Sequence, residues 1–415
     1  MGLSNVSKGE LQQMANYPLN GYRVVDFSWV WAGPLLGEIL ADMGAEVIKV
    51  ETNKRLDSAR LTPGRSTVGP ETDFVFHSIN RNKLGITVDM SESRGMALIS
   101  ELIRISDVAL DNFSPQGLRK LGLAYENLSK INPQLVMISL PAAGQYGPLS
   151  NIVTYAPSLG ALCGYSSLIG YPGERVLGEQ TPYLDVTSAI HGAFAVLSAL
   201  YYRERTGKGQ YIDMAQIEVG ASVIGEAFME YFMTGRVLGT MGNRSPTMAP
   251  HNNYPCQGED RWVSIAVNTE EEWRSFCAAM GNPPWVKEKR FSDKFNRQKN
   301  LEELDRLVSA WTIGLSYYDV MHILQKAGVA AAPCLDLMER FSDPHYSERG
   351  THLQVEHPAT GVDIIAGIPF KLSGMPAEVR LHAPLLGEHN DYVFRELLGK
   401  PESEIAQLIE EKVIN

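Results

Sequence analysis

The feature that most constrains this fold lies between Arg23 and Glu51. Residues 23–27 (RVVDF) read as a short buried strand. Residues 35–43 carry apolar side chains at helical spacing, and 45–51 (AEVIKVE) read as a second strand. Strand, helix and strand within about thirty residues form a βαβ unit, which sets the two strands parallel in one sheet. Residues 86–88, 107–111 and 135–140 read as further strands, with a helix over 93–105. The first third is therefore expected to be α/β and doubly wound.

Gly- and Pro-rich loops dominate 141–182. A long, mostly buried helix is expected over 187–204, a strand over 210–214 and a helix over 216–233. The stretch 235–255, rich in Gly, Asn, Ser and Pro, reads as a loop or domain boundary. Beyond it, strands are expected at 262–267 and 330–333, with helices at 270–280, 301–315 and 318–327. A final proline-containing stretch leads to helices at 389–397 and 402–410.

The chain has 415 residues, long enough for two domains. Its formal net charge is -11, which provides no basic field for nucleic acid. Cys163, Cys256, Cys277 and Cys334 are scattered, with no CxxC pair and no zinc spacing, so free thiols and no metal are expected. Residues 1–17 are polar and lack a leader's apolar core. The longest apolar run, near 189–202, is interrupted by His191 and Ser198 and reads as too short to span a bilayer. A cytoplasmic protein without membrane or nucleic-acid partners is expected.

Three segments carry candidate chemistry. The turn after the first strand, residues 27–34 (FSWVWAGP), could hold a phosphate at a helix N-terminus. It does not match G-x-G-x-x-G, and no G-x-x-x-x-G-K-[ST] occurs, so a nicotinamide or P-loop reading loses its main support. Asn80-Arg81-Asn82-Lys83 could grip a phosphate or be a solvated loop. Asp185, at the start of the long helix, could be an N-cap or a nucleophilic carboxylate stabilised by the helix dipole. His191 reads as a packed core histidine. G-x-S-x-G and H-E-x-x-H are both missing.

The sequence resembles the class III CoA-transferase family, which includes formyl-CoA transferase and is related to the α-methylacyl-CoA racemases. The resemblance rests on Val25-Asp26-Phe27-Ser28, Ala32-Gly33-Pro34, residues 40–51 (LADMGAEVIKVE), Asn82-Lys83, residues 111–115 (DNFSP), residues 205–210 (RTGKGQ), Ala383-Pro384, residues 386–389 (LGEH) and Leu397-Leu398-Gly399. It implies a Rossmann-like large domain from 1–225 and 350–415, with a smaller α+β domain from 226–349. It also implies two ring-like chains interlocked as a dimer, either a homodimer or a heteromer with a related subunit.

The resemblance makes Asp185 the catalytic residue, carrying acyl and CoA groups in turn. It maps coenzyme A contacts onto Val30, Trp31, Ala32, Lys83, Asn112, Phe113 and Lys120. A family arginine aligns with Thr52, so Lys54, Arg55 or Arg60 would have to substitute. The loop 141–145 is expected to supply oxyanion donors. The racemases' His-Asp pair aligns with Tyr155 and Ala156. A phenol ionising near pH 10 is a poor base at neutral pH, so transfer is expected and racemisation is not. Small Ala142 and Ala143, with residues 242–246 (GNRSP) and 254–256 (YPC), resemble the succinyl-CoA:benzylsuccinate CoA-transferase branch. A non-catalytic partner subunit of a heteromeric CoA-transferase, a 2-methylacyl-CoA racemase and a nucleotide-binding oxidoreductase remain as alternatives.

Overall fold

The computed structural model describes residues 17–61, 69–375 and 377–414. The polar stretch expected at residues 1–17 lies, up to residue 16, outside the described residues. The chain divides into two compact units. The larger takes the segment ending at Ser166, Gly178–Arg236 and everything from Ser347; the smaller takes Ser167–Leu177 and Val237–Tyr346. The helix Gly225–Thr234 falls in the larger unit, beyond the boundary expected at 226.

Strands β1 (Arg23–Asp26), β2 (Glu46–Glu51), β3 (Lys83–Thr87), β4 (Val108–Asp111), β5 (Val136–Ser139) and β6 (Gln210–Asp213) form one sheet in the order 3-2-1-4-5-6. Every neighbouring pair is parallel. The fold is thus α/β with a doubly wound parallel sheet, and the order reverses between β1 and β4.

Period-2 alternation sends the strands' side chains to opposite faces. Val24, Val47, Val108 and Val136 meet Leu36, Leu40, Ala189, Ala193 and Val196 on one face. Val25, Ile48, Ala109 and Met137 meet Leu98, Leu102, Ile405, Leu408 and Ile414 on the other. Each fully buried Val, Leu or Ile contributes about 1.5–3 kcal/mol through removal of apolar surface from water. The RTGKGQ turn has a steric reason: a Cβ on Gly209 would lie 2.1 Å from the Leu135 carbonyl oxygen.

The long helix runs Tyr183–Thr206, 24 residues, and by length and composition alone could cross a membrane. It is longer than the sequence reading allowed and less buried. One stripe packs on the sheet, while Ile190, Phe194, Leu197 and Tyr201 are exposed. The helix expected over 216–233 breaks at Val223–Ile224 into Gln216–Ser222 and Gly225–Thr234.

In the smaller unit, β7 (His251–Pro255), β8 (Trp262–Ala266) and β9 (Ala330–Pro333) form an antiparallel sheet. Tyr254, Val263 and Ile265 pack there with Trp273, Phe276, Leu304 and Leu324. Strand β7 lies in the stretch read as a loop. The antiparallel hairpin β10 (His352–His357) and β11 (Gly361–Ala366), in the larger unit, was likewise not visible in the pattern.

Candidate active site

The turn after β1 is assembled by buried polar groups. Asp26 Oδ1 accepts the Ser28 backbone N–H at 2.9 Å and also the Ser28 hydroxyl. Lys49, on β2, donates to the Ser28 carbonyl at 2.8 Å and pairs with Asp57 at 3.1 Å, with both side chains fully buried. Burial works against the Lys49 charge, but Asp57 and Asp26 outweigh it and raise its pKa. Asp57 also accepts the Val30 N–H at 3.0 Å. That bond holds Val30 at a φ of 69°, a conformation unusual for a β-branched residue.

From β4, Asn112 binds both backbone groups of Trp29. Phe113 meets the Trp29 ring edge-on at 5.8 Å, and the exposed Arg55 guanidinium lies 5.1 Å from the same ring. Gly33 is required at the start of the following helix: a Cβ there would lie 2.2 Å from Ser28 Cβ. Val30, Trp31, Ala32, Asn112 and Phe113 therefore gather at the carboxyl ends of β1 and β4. This is the topological switch point, where open α/β sheets bind ligands.

Lys83 is not placed as a phosphate ligand. Its ammonium is fully buried and donates to Asp26 Oδ2 at 2.8 Å, the Pro34 carbonyl at 2.7 Å and Asn80 Oδ1 at 2.8 Å. An ammonium has three protons, so none remains. Burial lowers its pKa, with Asp26 opposing. Arg81 is buried too, bound to Asp42 and Glu38. The Asn-Arg-Asn-Lys segment is thus an internal polar network and not a solvated loop. Arg60 is also internal, paired with Glu51 and stacked 3.5 Å from the Phe76 ring centroid. Lys54 pairs with Asp89. Of the three substitutes for the family arginine, Arg55 alone lies beside the turn's aromatic residues. Lys120 is exposed at the end of the helix Pro115–Lys120.

Asp185 sits in the first turn of the helix Tyr183–Thr206, whose N-cap is Pro182. It does not cap the helix, and no hydrogen bond to its carboxylate occurs among the described residues. Burial, with the nearby charge of Glu179, pushes its pKa up to about 7. Tyr183, two residues before it, stacks on Tyr165 with ring centroids 5.6 Å apart. His191 is exposed, with Nδ1 2.8 Å from the Thr187 carbonyl, so the expected core histidine is instead on the helix surface.

In the loop 141–145, the Gln145 N–H is already bound by Asp213 at 3.0 and 3.1 Å, which removes one of the expected oxyanion donors. Tyr155 is 67% exposed at the start of the helix Ala156–Leu162. Asp57 and Glu179 carry no signal in the sequence, because neither lies in a recognisable motif. Nor did it foreshadow the group His77, His357 and Asp363, brought together by β10 and β11. There His77 bonds Asp363 and the Glu71 carbonyl, and His357 bonds the Ala383 carbonyl and the Ala359 N–H, so every ring nitrogen is engaged.

The sequence model of CoA-transferase family III matches residues 19–390, nearly the whole chain. The chain belongs to CoA-transferase family III. It is an enzyme of that family, and acyl-CoA and carboxylic acids are the substrates of such transferases. It is similar to succinyl-CoA–D-citramalate CoA-transferase of Chloroflexus aurantiacus, at 32% identity over 96% of this chain and 98% of that one. The beta subunit of succinyl-CoA–L-malate CoA-transferase from the same organism is 32% identical over 96% of this chain and 98% of its own. A solved CAIB/BAIF family protein from Brucella suis superposes with a TM-score of 0.84 at 31% identity, covering 92% of this chain and 100% of that one.

Proposed function

We propose that this family III transferase takes CoA from succinyl-CoA and passes it to a dicarboxylic acid, with Asp185 as the transient carrier. The Asp185 carboxylate attacks the donor thioester, giving a mixed anhydride and CoA thiolate. The thiolate attacks the aspartyl carbonyl, leaving an aspartyl-CoA thioester and free succinate. The acceptor carboxylate then attacks, and the steps reverse to product. Splitting the exchange into activated steps is covalent catalysis.

The observation that carries this reading is the state of Asp185. A carboxylate free of hydrogen bonds, in the first turn of a long helix, is ready to act as a nucleophile. A pKa of about 7 makes it more nucleophilic than an ordinary aspartate while leaving it ionised in a large fraction of molecules at neutral pH. The switch-point turn, with Trp29, Phe113 and Arg55, suits a purine nucleotide with its phosphates. Val30, Trp31, Ala32, Asn112, Phe113 and Lys120 are proposed to line the CoA site.

The relatives named for D-citramalate and L-malate support a dicarboxylic acceptor. Small Ala142 and Ala143 leave room for a bulky member of that class such as benzylsuccinate. The exposed apolar stripe Ile190, Phe194, Leu197 and Tyr201 supports a second chain, identical or related, covering that helix. Tyr155 and Ala156, standing where the racemases carry a His-Asp pair, support transfer over racemisation.

The test is to incubate the protein with succinyl-CoA, add hydroxylamine and examine the peptide containing Asp185 by mass spectrometry. A hydroxamate on Asp185 that requires donor supports the covalent route. Absence of a hydroxamate with every acyl-CoA tried, in folded protein, removes it and points to a non-catalytic subunit. Turnover of benzylsuccinate, D-citramalate, L-malate and a monocarboxylic acid then ranks the acceptors.

A further inference from the structure

Strands β1 and β4, neighbours across the reversal of strand order, end in the same device. Asp26, the last residue of β1, accepts the Ser28 N–H through Oδ1 at 2.9 Å. Asp111, the last residue of β4, accepts the Phe113 N–H through Oδ1 at 3.0 Å. Both carboxyls are fully buried. Their charges are balanced differently. Asp26 has Lys83 at 2.8 Å, whereas among the described residues no cation pairs with Asp111. Asp111 Oδ2 instead accepts the Ser139 hydroxyl at 2.5 Å. The titratable groups around it are Asp26 on β1, Tyr211 and Asp213 on β6, and Glu126 on the helix Tyr125–Ile131, none of them cationic. Burial, opposed by the Ser139 and Phe113 bonds and joined by the Asp26 charge, pushes the Asp111 pKa up to about 7. A buried carboxyl without a cation is costly to hold, and what this one holds is Phe113.

We propose that Asp111 is a positioning residue for acyl-CoA, its ionised carboxylate anchoring the Phe113 backbone so that the Phe113 ring stands against Trp29 at the switch-point crevice. The inference rests on that crevice being the CoA site. Phe113 is half-buried, packed in part on the core that contains Ala109 of β4, with its ring 5.8 Å from that of Trp29. Three successive residues thus fix both aromatic groups. Asp111 holds Phe113 by its N–H, and Asn112 holds Trp29 by both of its backbone groups. An N–H bond to a carboxylate is roughly twice as strong as one to a neutral oxygen. Protonation of Asp111 keeps both contacts, because the new O–H donates to Ser139 instead of accepting from it. The Phe113 bond, however, loses its charge. The crevice therefore grips the nucleotide less firmly as pH falls through about 7.

The experiment titrates dephospho-CoA calorimetrically into wild type, Asp111→Asn, Phe113→Ala and the double variant, from about pH 5.5 to about pH 8.5, a span centred on the Asp111 pKa of about 7. This ligand lacks the 3′-phosphate of CoA, which itself titrates near about pH 6. Asn is isosteric with Asp and fixes the neutral form, with Oδ1 for the Phe113 N–H and Nδ2 for Ser139. Wild-type affinity is expected to weaken roughly fivefold from the alkaline to the acid end. Asp111→Asn is expected to sit at the weak value throughout. It should add nothing in the Phe113→Ala background, because the charge acts through that ring. A wild-type affinity that is constant with pH, or that tightens in acid, overturns the proposal whether or not the variant folds. So does an Asp111→Asn that keeps the wild-type profile, or losses from the two substitutions that multiply. Folded wild type that binds neither CoA nor dephospho-CoA overturns the crevice reading itself, a result separate from any pH profile.

Discussion

Asn112 grips the backbone of Trp29 from both directions: its Oδ1 accepts the Trp29 N–H at 2.9 Å and its Nδ2 donates to the Trp29 carbonyl at 2.7 Å. One side chain just beyond the end of β4 thereby replaces a strand neighbour for the turn after β1. The turn at the reversal of strand order is tied by this amide to the segment that follows β4.

Asn112→Ala breaks both bonds and leaves two backbone groups to find water. Stability should fall by about 1–3 kcal/mol. The KM for acyl-CoA should rise more than kcat falls, because the turn and not the nucleophile is disturbed. Urea unfolding and steady-state kinetics on one preparation check both.

Lys83→Met separates a structural lysine from a phosphate ligand. It leaves Asp26 buried without its cation, and breaking one partner of a buried pair costs about 3–5 kcal/mol. The expected result is a large loss of stability with near wild-type acyl-CoA affinity in whatever protein folds. A selective loss of affinity, with stability intact, would contradict the internal role.

Asp185→Asn should lower turnover on the order of 10⁶-fold, as removal of a covalent nucleophile does. In the wild type, kcat/KM should rise with pH as Asp185 ionises, with its half-maximum near pH 7. A pH series of kcat/KM tests that limb.

The same shift has a sign for stability. The folded-state pKa of Asp185 is raised above the ordinary aspartate value, so between about pH 4 and 7 the unfolded chain binds fewer protons than the folded one. Ionisation therefore destabilises the fold progressively across that window. Asp185→Asn should show no advantage at pH 4 and a higher melting temperature than wild type at pH 8. Equal melting temperatures at both values would show that Asp185 is not desolvated.

The sheet was legible because its strands are buried on both faces and read as apolar runs such as VVD and EVIKVE. Asp185 stood out through its place before a long apolar segment. Lys83 misled because a cation among amides looks the same whether it faces water or three internal acceptors; the partners Asp26 and Pro34 come from other elements. Strand β7 (HNNYP) was missed because its stability comes from pairing with β8 and not from its own composition. Asp57 and Glu179 matter through residues they do not adjoin in the chain, and neither leaves a local signature.

The last residues of the described chain have a consequence for the order of events during synthesis. Ile405, Leu408, Val413 and Ile414 sit in the same core as β1 and β2, and the Val413 carbonyl accepts the Asp89 N–H at 2.8 Å. A ribosome that has delivered all six strands has therefore not yet delivered part of the hydrophobic cover on one of their faces. The smaller unit, nearly all of it one continuous stretch, is complete well before then. The nascent sheet waits with one apolar face covered only in part, by the helix Ser93–Arg104 and its neighbours, which makes the interval before residues 405–414 emerge a time when this chain needs a chaperone.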